Sequence, residues 1–191
     1  MVYLLLSMYE LKPTLWRTCR VLANEKRIAL LFEIFARKEC CVIELANAVH
    51  ISESHASLHL RALSARGLIY QRRSKMLLLC SPRANEGIQA APILLKALKE
   101  SHEVPIAIPK IKWQATAFTH ARRIEIVQNI AENGSTKDQL YEQTGISFSA
   151  LTRHLNKLAA RGFIIPGRNI YRRAIPSDPF SKTLYQLVCI K

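Results

Sequence analysis

Two stretches of this sequence, 95 residues apart, repeat one pattern. The first reads ISESHASLHLRALSARGLIY, from Ile51 to Tyr70, and the second reads ISFSALTRHLNKLAARGFII, from Ile146 to Ile165. In each, apolar residues recur at helical spacing, and a glycine then separates this helix from a β-rich segment. The residues of the first stretch that recur at aligned positions of the second include Ile51, Ser52, His59, Leu60, Leu63, Ala65, Arg66, Gly67 and Ile69.

Each stretch predicts a long helix with one buried face, because its apolar residues lie at i, i+4 and i+7. Ser52 and Ser147 precede the two helices at the N-cap position, where a hydroxyl satisfies a free backbone amide. Two residues earlier stand His50 and Gly145, which both tolerate the left-handed backbone of a tight turn between helices. The residues expected to be buried are Ala56, Leu60 and Leu63 in the first helix and Leu151, Leu155 and Leu158 in the second.

Two further helices are expected before each long helix. The stretch EKRIALLFEIFAR (25–37) aligns with ARRIEIVQNIAEN (121–133), and each predicts an amphipathic helix. Shorter helices are expected at 42–50 and 137–145. The residues expected on the buried face of the amphipathic pair are Ile28, Leu31 and Phe35 and, in the second copy, Ile124, Val127 and Ala131.

A β-hairpin is expected after each long helix. LIYQRRSKMLLLC (68–80) and FIIPGRNIYRRAI (163–175) each place arginines at or beside a turn between two β-rich runs. A further helical segment closes each copy, at 85–100 and 179–191. The order helix, helix, turn, helix, hairpin predicts a winged helix-turn-helix, stated twice.

The predicted fold class is therefore mainly α with small β-hairpin wings, formed by tandem duplicated winged helix-turn-helix domains. The first domain is expected at residues 1–100 and the second at 113–191, each with its closing helix. Residues 101–112 contain Pro105 and Pro109, so we expect a semi-extended linker between them.

The amphipathic segments Val2–Leu15 and Ile88–Leu98 bear on assembly. We expect them either to pack the two copies together or to join two chains in a homodimer, with Pro92 bending the second segment. No apolar run reaches the roughly 18–20 residues of a membrane span. The opening MVYLLLSMYELK lacks a basic n-region and a small-residue cleavage site, so we interpret it as part of the fold. The expected location is the cytoplasm, in association with the nucleoid.

Charge is the unusual feature of the composition. The 28 Lys and Arg against 14 Asp and Glu give a net charge of +14. Residues 1–100 carry 15 basic and 8 acidic side chains, and residues 101–191 carry 13 and 6, so the two halves share the excess equally. Each half therefore favours a polyanion, and double-stranded DNA is the expected partner. With 49% hydrophobic residues, the composition is that of a globular protein.

The chain resembles two fused copies of an ArsR/SmtB-type winged-helix transcription regulator, over roughly residues 20–83 and 116–176. The resemblance rests on the serine-capped helix, its His-Leu pair and the Gly-Leu-Ile or Gly-Phe-Ile that follows. It implies single domains that dimerise and that each place one recognition helix in the major groove. In this chain, the duplication is expected to supply such a pair as an intramolecular pseudo-dimer.

Candidate DNA contacts follow from the helix faces and the wings. Arg and Asn are common readers of guanine and adenine in the major groove, and cations on the hairpins suit phosphates. The second copy offers the stronger set, because the first has Leu58 where a polar or basic reader is expected. The candidates are Ser54, His55, Ser57, Arg61, Arg72, Arg73 and Lys75 in the first copy and Ser149, Thr152, Arg153, Asn156, Arg168, Arg172 and Arg173 in the second.

The five cysteines fit a reducing compartment and give no disulfide framework. Metal-sensing proteins of the resembled family carry a Cys-Val-Cys pair before the recognition helix. Cys41 matches its first cysteine, but Ile43 replaces the second. A thiol site at Cys40 and Cys41 is therefore the less favoured interpretation, and no metal or cofactor is expected. No enzyme motif is present either, so we expect no catalytic activity.

The function predicted from these observations is a sequence-specific DNA-binding transcription regulator, in particular a repressor that occludes a promoter. Its two recognition helices differ, so they would read two non-identical half-sites. A plasmid-type replication initiator or architectural DNA-binding protein is one alternative, because such proteins also carry paired winged helices. A protein-interaction module of tandem winged helices is the other, although it needs no basic surface.

Overall fold

The computed structural model describes residues 14–103 and 108–190. In the first half, the short strand β1 (Cys40–Cys41) joins the hairpin strands β2 (Tyr70–Ser74) and β3 (Leu77–Ser81) in a three-stranded antiparallel sheet with the order β1-β3-β2. The helices of this half are α1 (Leu15–Leu22), α2 (Glu25–Arg37), α3 (Val42–Val49), α4 (Glu53–Ser64) and α5 (Ala90–Glu103).

The second half has its elements in the same order. Its hairpin consists of β4 (Ile164–Pro166) and β5 (Tyr171–Arg173), and a single bridge between Ser135 and Tyr171 lies where the first half has its third strand. The helix α6 (Ile108–Ala115) continues directly into a 3-10 helix (Thr116–Phe118). The other helices are α7 (Ala121–Asn129), α8 (Lys137–Thr144), α9 (Phe148–Ala160) and α10 (Pro179–Cys189).

The turns before α4 and α9 are confirmed as left-handed. His50 has φ 52° and Gly145 has φ 62°, so each ends its short helix in the conformation that the sequence predicted. The two N-caps differ. The Ser52 hydroxyl accepts a hydrogen bond from the His55 amide at 3.3 Å, whereas the Ser147 side chain accepts none from α9. The prediction of a capping hydroxyl is therefore confirmed for Ser52 and wrong for Ser147.

The buried faces of the long helices are confirmed: each predicted apolar residue of α4 and α9 is at most 1% exposed. The α7 prediction is partly wrong. Val127 is buried, but Ala131 is exposed and lies beyond the end of this helix. The helix ends at Asn129, and its buried face is formed by Ile126 and Val127, with Ile130 following in extended backbone. The spacing alone could not show that this helix is shorter than α2.

The semi-extended linker is wrong for the part of 101–112 that the structure describes. The helix α5 runs to Glu103, and α6 begins at Ile108, so residues on both sides of the undescribed stretch 104–107 are helical. Pro109 lies in the first turn of α6 and Pro92 in the first turn of α5. Proline is tolerated there because first-turn amides have no partner within the helix. The prediction that Pro92 bends its segment is therefore wrong, since α5 continues through it to Glu103.

The two halves pack against each other through their flanking helices. The closing helices α5 and α10 are in extensive contact, and α6 contacts both α1 and α2. One continuous hydrophobic cluster includes Leu22 and Leu98 from the first half and Phe118 and Leu184 from the second. The segment Ile88–Leu98 therefore packs the halves together, while residues 1–13 lie outside the described residues. None of the described helices has the length and apolar character that crossing a bilayer requires.

Candidate nucleic-acid interface

The outward face of α4 has few groups that can recognise a base. Ser54, His55 and Arg61 are exposed and Ser57 is half-buried. The centre of this face is Leu58, which is 55% exposed. The ring of His55 is tied to the Ser52 hydroxyl, with Nδ1 at 3.1 Å from the oxygen. Arg61 is thus the one long cationic side chain among the predicted contacts on this face.

The outward face of α9 is polar and basic. Ser149, Arg153 and Asn156 are exposed, so their side chains are free to meet a partner. Thr152 is half-buried, and its hydroxyl donates to the Phe148 carbonyl at 2.7 Å, which leaves the oxygen available only as an acceptor. Arg and Asn can each make two hydrogen bonds to a single base, and this face therefore has the chemistry of base recognition.

The first wing, residues 70–81, has fewer unpaired positive charges than its sequence indicates. Arg72 forms a two-pronged ion pair with Glu39, with nitrogen to oxygen distances of 3.0 and 2.7 Å, and this hydrogen bond lowers the pKa of the Glu39 carboxyl. Arg73 and Lys75 remain exposed. Met76 at the turn is fully exposed. Of the three predicted phosphate contacts on this wing, one therefore has an internal counter-charge.

The second wing, residues 164–173, is shorter and carries its cations differently. Arg168 lies in the loop and is exposed, Arg172 is exposed on β5, and Arg173 is half-buried. None of these side chains forms an ion pair in the described part of the chain. Arg168 and Arg172 are therefore available for phosphate contacts.

The repeated histidines His59 and His154 pack beside the repeated arginines Arg27 and Arg123. The Arg27 guanidinium donates to the Nδ1 atom of His59 at 3.4 Å and to the Val21 carbonyl at the end of α1 at 3.1 Å. Arg123 likewise donates to the carbonyls of Thr116 and Ala117 in the 3-10 helix. Both arginines thus join α2 or α7 to the end of the preceding helix, which is a structural role.

A basic groove opens between α7 and α9, with a volume of about 710 Å³. One wall is the turn from Gly145 to Ser147, and no acidic residue is among the side chains that line it within the described chain. Burial lowers the pKa of His154, and the positive charge of Arg123 and its neighbours lowers it further. The titratable residues that line the basic groove are His120, Arg122, Arg123, Arg153, His154 and Lys157.

The sequence reasoning missed His120, Arg122 and Lys157. A signal for Lys157 was present, because it follows Arg153 by four residues and so shares its side of the helix. No signal could have found the other two, since His120 and Arg122 reach the groove only through the packing of α7 on α9. Arg122, Arg153 and Lys157 align with Lys26, Leu58 and Ala62 of the first half. There the Lys26 ammonium donates to the Val49 carbonyl at 2.9 Å.

Four of the five cysteines are buried, and Cys189 is half-buried. Cys40 and Cys41 form strand β1, and Cys40 lies opposite Cys80 on β3. Burial is the main cause that raises the pKa of Cys40 to about 12, which disfavours the thiolate that soft metals bind. Cys19 is fully buried in the core, also with a pKa raised by burial to about 12. Within the described chain, no three His, Cys, Asp or Glu side chains converge as a metal site would require.

One comparison bears directly on this geometry. Residues 24–71 match the family model described as "Bacterial regulatory protein, arsR family". The matched segment contains α2, β1, α3 and α4 and enters the first wing. The match supports an ArsR-like helix-turn-helix of a DNA-binding regulator over this segment. No curated protein matches the chain at the threshold of the search.

Proposed function

We propose that this protein is a sequence-specific regulator of transcription that binds double-stranded DNA with both α4 and α9. The chain acts as an intramolecular pseudo-dimer and represses by occluding a promoter. This role places it in the cytoplasm with the nucleoid. One observation carries the proposal. The second half has its elements in the same order as the matched segment, and α9, which stands where that segment has α4, exposes Arg153 and Asn156.

Contacts between the halves support the pseudo-dimer. The helices α5 and α10 pack together, and the Lys112 ammonium on α6 lies 2.6 Å from a Glu25 carboxylate oxygen on α2. These contacts restrain the halves, and restrained recognition helices favour two half-sites at a fixed spacing, about 34–36 Å for one helical turn.

The difference between the helix faces supports an asymmetric operator. The outward face of α9 can make bidentate contacts to guanine and adenine, each worth about 1–3 kcal/mol of discrimination. The central residue of α4 is Leu58, whose side chain is limited to apolar contact such as a thymine methyl group. The half-site read by α9 is therefore expected to dominate specificity.

Selection of binding sites from random duplexes, followed by mobility shifts, tests this proposal. Arg153→Ala should lose about 10–100-fold in preference for the selected site, because a bidentate base contact disappears. Arg61→Ala should lose less, since it stands on the weaker face. Equal losses of sequence preference from the two variants would contradict an operator dominated by α9. The mass of the complex by light scattering should correspond to one chain per duplex.

A second candidate function, a protein-interaction module, is favoured by one observation. The first wing and α4 expose apolar side chains, namely Leu58, Tyr70, Met76 and Leu77, all at least 47% exposed. Failure to bind any duplex at low salt would favour this alternative, because a protein with a net charge of +14 that uses phosphate contacts binds DNA most strongly there.

A further inference from the structure

The basic groove contains more positive charge than the protein itself balances. Arg122 has a partner, since its guanidinium lies 2.9 Å from a Glu125 oxygen, and Arg123 is bound to backbone carbonyls. Arg153 and Lys157 form no ion pair among the described residues. The two side chains lie one helical turn apart on the same side of α9.

Burial and the nearby positive charges both disfavour the charged forms of Lys157 and His154. The pKa of Lys157 is lowered, first by desolvation and then by the charges of Arg161 and Arg123. The pKa of His154 is lowered by burial and by the charges of Arg123, His120, Arg153 and Arg122. An anion bound among these groups would replace repulsion with attraction.

The groove favours a phosphoryl group over a carboxylate. Arg and Lys donors arranged around an open cavity match the several oxygens of a phosphate, and Arg binds it through two parallel hydrogen bonds. The first turn of α9 opens onto the same cavity at Ser147, and the Ser147 hydroxyl does not cap this turn. The amides of this turn are therefore free to add hydrogen bonds to the same oxygens.

We propose that the groove between α7 and α9 binds a phosphoryl group through Lys157, His120 and His154, which leaves Arg153 for the base contact proposed above. The phosphoryl group has two candidate sources: a backbone phosphate of DNA beside the bases that α9 reads, or a free phosphate ester. The first source rests on the proposed function, and the second does not. The first half lacks this site, because Ala62 occupies the position aligned with Lys157.

The first arm of the test uses inorganic pyrophosphate and the full chain without DNA, measured by calorimetry in a phosphate-free buffer. Wild-type protein should bind with a saturable isotherm, and Lys157→Ala should weaken binding at least about tenfold, which corresponds to about 1.4 kcal/mol. Lys182→Ala is the matched control, because it removes the same charge from an exposed position on α10 outside the groove. Equal unfolding midpoints of the three proteins establish that each is folded.

The second arm measures duplex affinity against salt concentration. If the group is a DNA phosphate, Lys157→Ala lowers the slope of log K against log salt by about 1, and Lys182→Ala leaves it unchanged. If the group belongs to a free ester, Lys157→Ala weakens pyrophosphate binding and the slope stays the same.

The proposal is overturned if Lys157→Ala changes neither measurement, or if Lys182→Ala changes them as much. Absence of any duplex binding by the wild-type protein would instead defeat the proposed function. The pyrophosphate titration would still decide whether the groove binds a phosphoryl group.

Discussion

The helices α4 and α9 occupy aligned positions in the two halves and share a buried face but not an exposed one. Leu60 and Leu155 are both at most 1% exposed, so each helix buries its leucine in the core of its own half. On the outer side, Leu58 and Ala62 of α4 stand where α9 has Arg153 and Lys157. Packing restricts the buried positions to residues of similar size, whereas exposed positions vary without loss of the fold. For this pair of helices, the exposed faces differ and the buried faces do not.

The largest expected effect comes from the part that the halves share. Leu60→Ala and Leu155→Ala each remove a buried side chain and should lower the free energy of unfolding by about 2–5 kcal/mol. Because one hydrophobic cluster spans both halves, each variant should still unfold in a single transition in urea. Two transitions, with only one shifted in each variant, would show instead that the halves unfold independently. Leu77→Ala, on the exposed wing, is the control and should change stability by less than about 0.5 kcal/mol.

A substitution that adds a cation to the exposed face of α4 tests whether this face meets DNA. Leu58→Arg gives α4 the residue that α9 has at the aligned position, so it should raise affinity for nonspecific duplex and steepen the salt slope by about 1. The change is measured by fluorescence anisotropy at several salt concentrations. Gln186→Arg, at an exposed position on α10 outside the proposed DNA contacts, is the control for added charge. A Leu58→Arg effect no larger than that of Gln186→Arg would argue that α4 does not face the duplex.

A smaller effect is expected at the helix caps. Ser52→Ala removes a hydroxyl that accepts the His55 amide and should cost about 1 kcal/mol of stability. Ser147→Ala should cost close to nothing, since that hydroxyl makes no capping bond. Thermal unfolding of the two variants under identical conditions compares them directly, and a larger loss for Ser147→Ala would show that its hydroxyl caps α9 in solution.

The smallest expected effect concerns the pH dependence of the free energy of unfolding. We expect His59 and His154 to contribute to it unequally. Burial is the first cause that lowers the pKa of both rings. The unfolded chain therefore takes up protons near the ordinary value of 6.5 while the folded chain does not, so the free energy of unfolding falls as pH drops below about 6.5.

His154 faces Arg122, Arg123, Arg153 and His120, whereas His59 faces Arg27 and His55. His154→Gln should therefore remove more of the loss of stability between pH 7.5 and pH 5.5 than His59→Gln does. Urea unfolding at the two pH values measures this, and the reverse order would contradict the stronger positive field around His154.

Much of the fold could be predicted because local chemistry specified it. The left-handed turns at His50 and Gly145 and the buried stripes of α4 and α9 depend on residue type and spacing, which a sequence states directly. The length of α7 could not be predicted, because Ala131 continued the helical spacing past the point where the backbone becomes extended. The helical linker ends were missed for a similar reason, since a proline in a first turn resembles a breaker until the helix start is known.

The candidate site divides in the same way. Sequence spacing predicted which residues of α9 face outward, and Arg153 and Asn156 are exposed. Arg72 was expected to be a free phosphate contact, but Glu39 pairs with it from 33 residues away, and no local pattern encodes that partner. The basic groove likewise depends on His120 and Arg122 approaching α9 from a different helix.

The repeated pattern, the helix faces and the equal excess of positive charge in both halves could be stated from the chain alone, because they follow from residue types and short-range spacing. The pairing of cations, the burial of thiols and the contact of α5 with α10 became known from the folded molecule. These are long-range contacts, in which the energy of a charged or buried group depends on neighbours that chain order does not reveal.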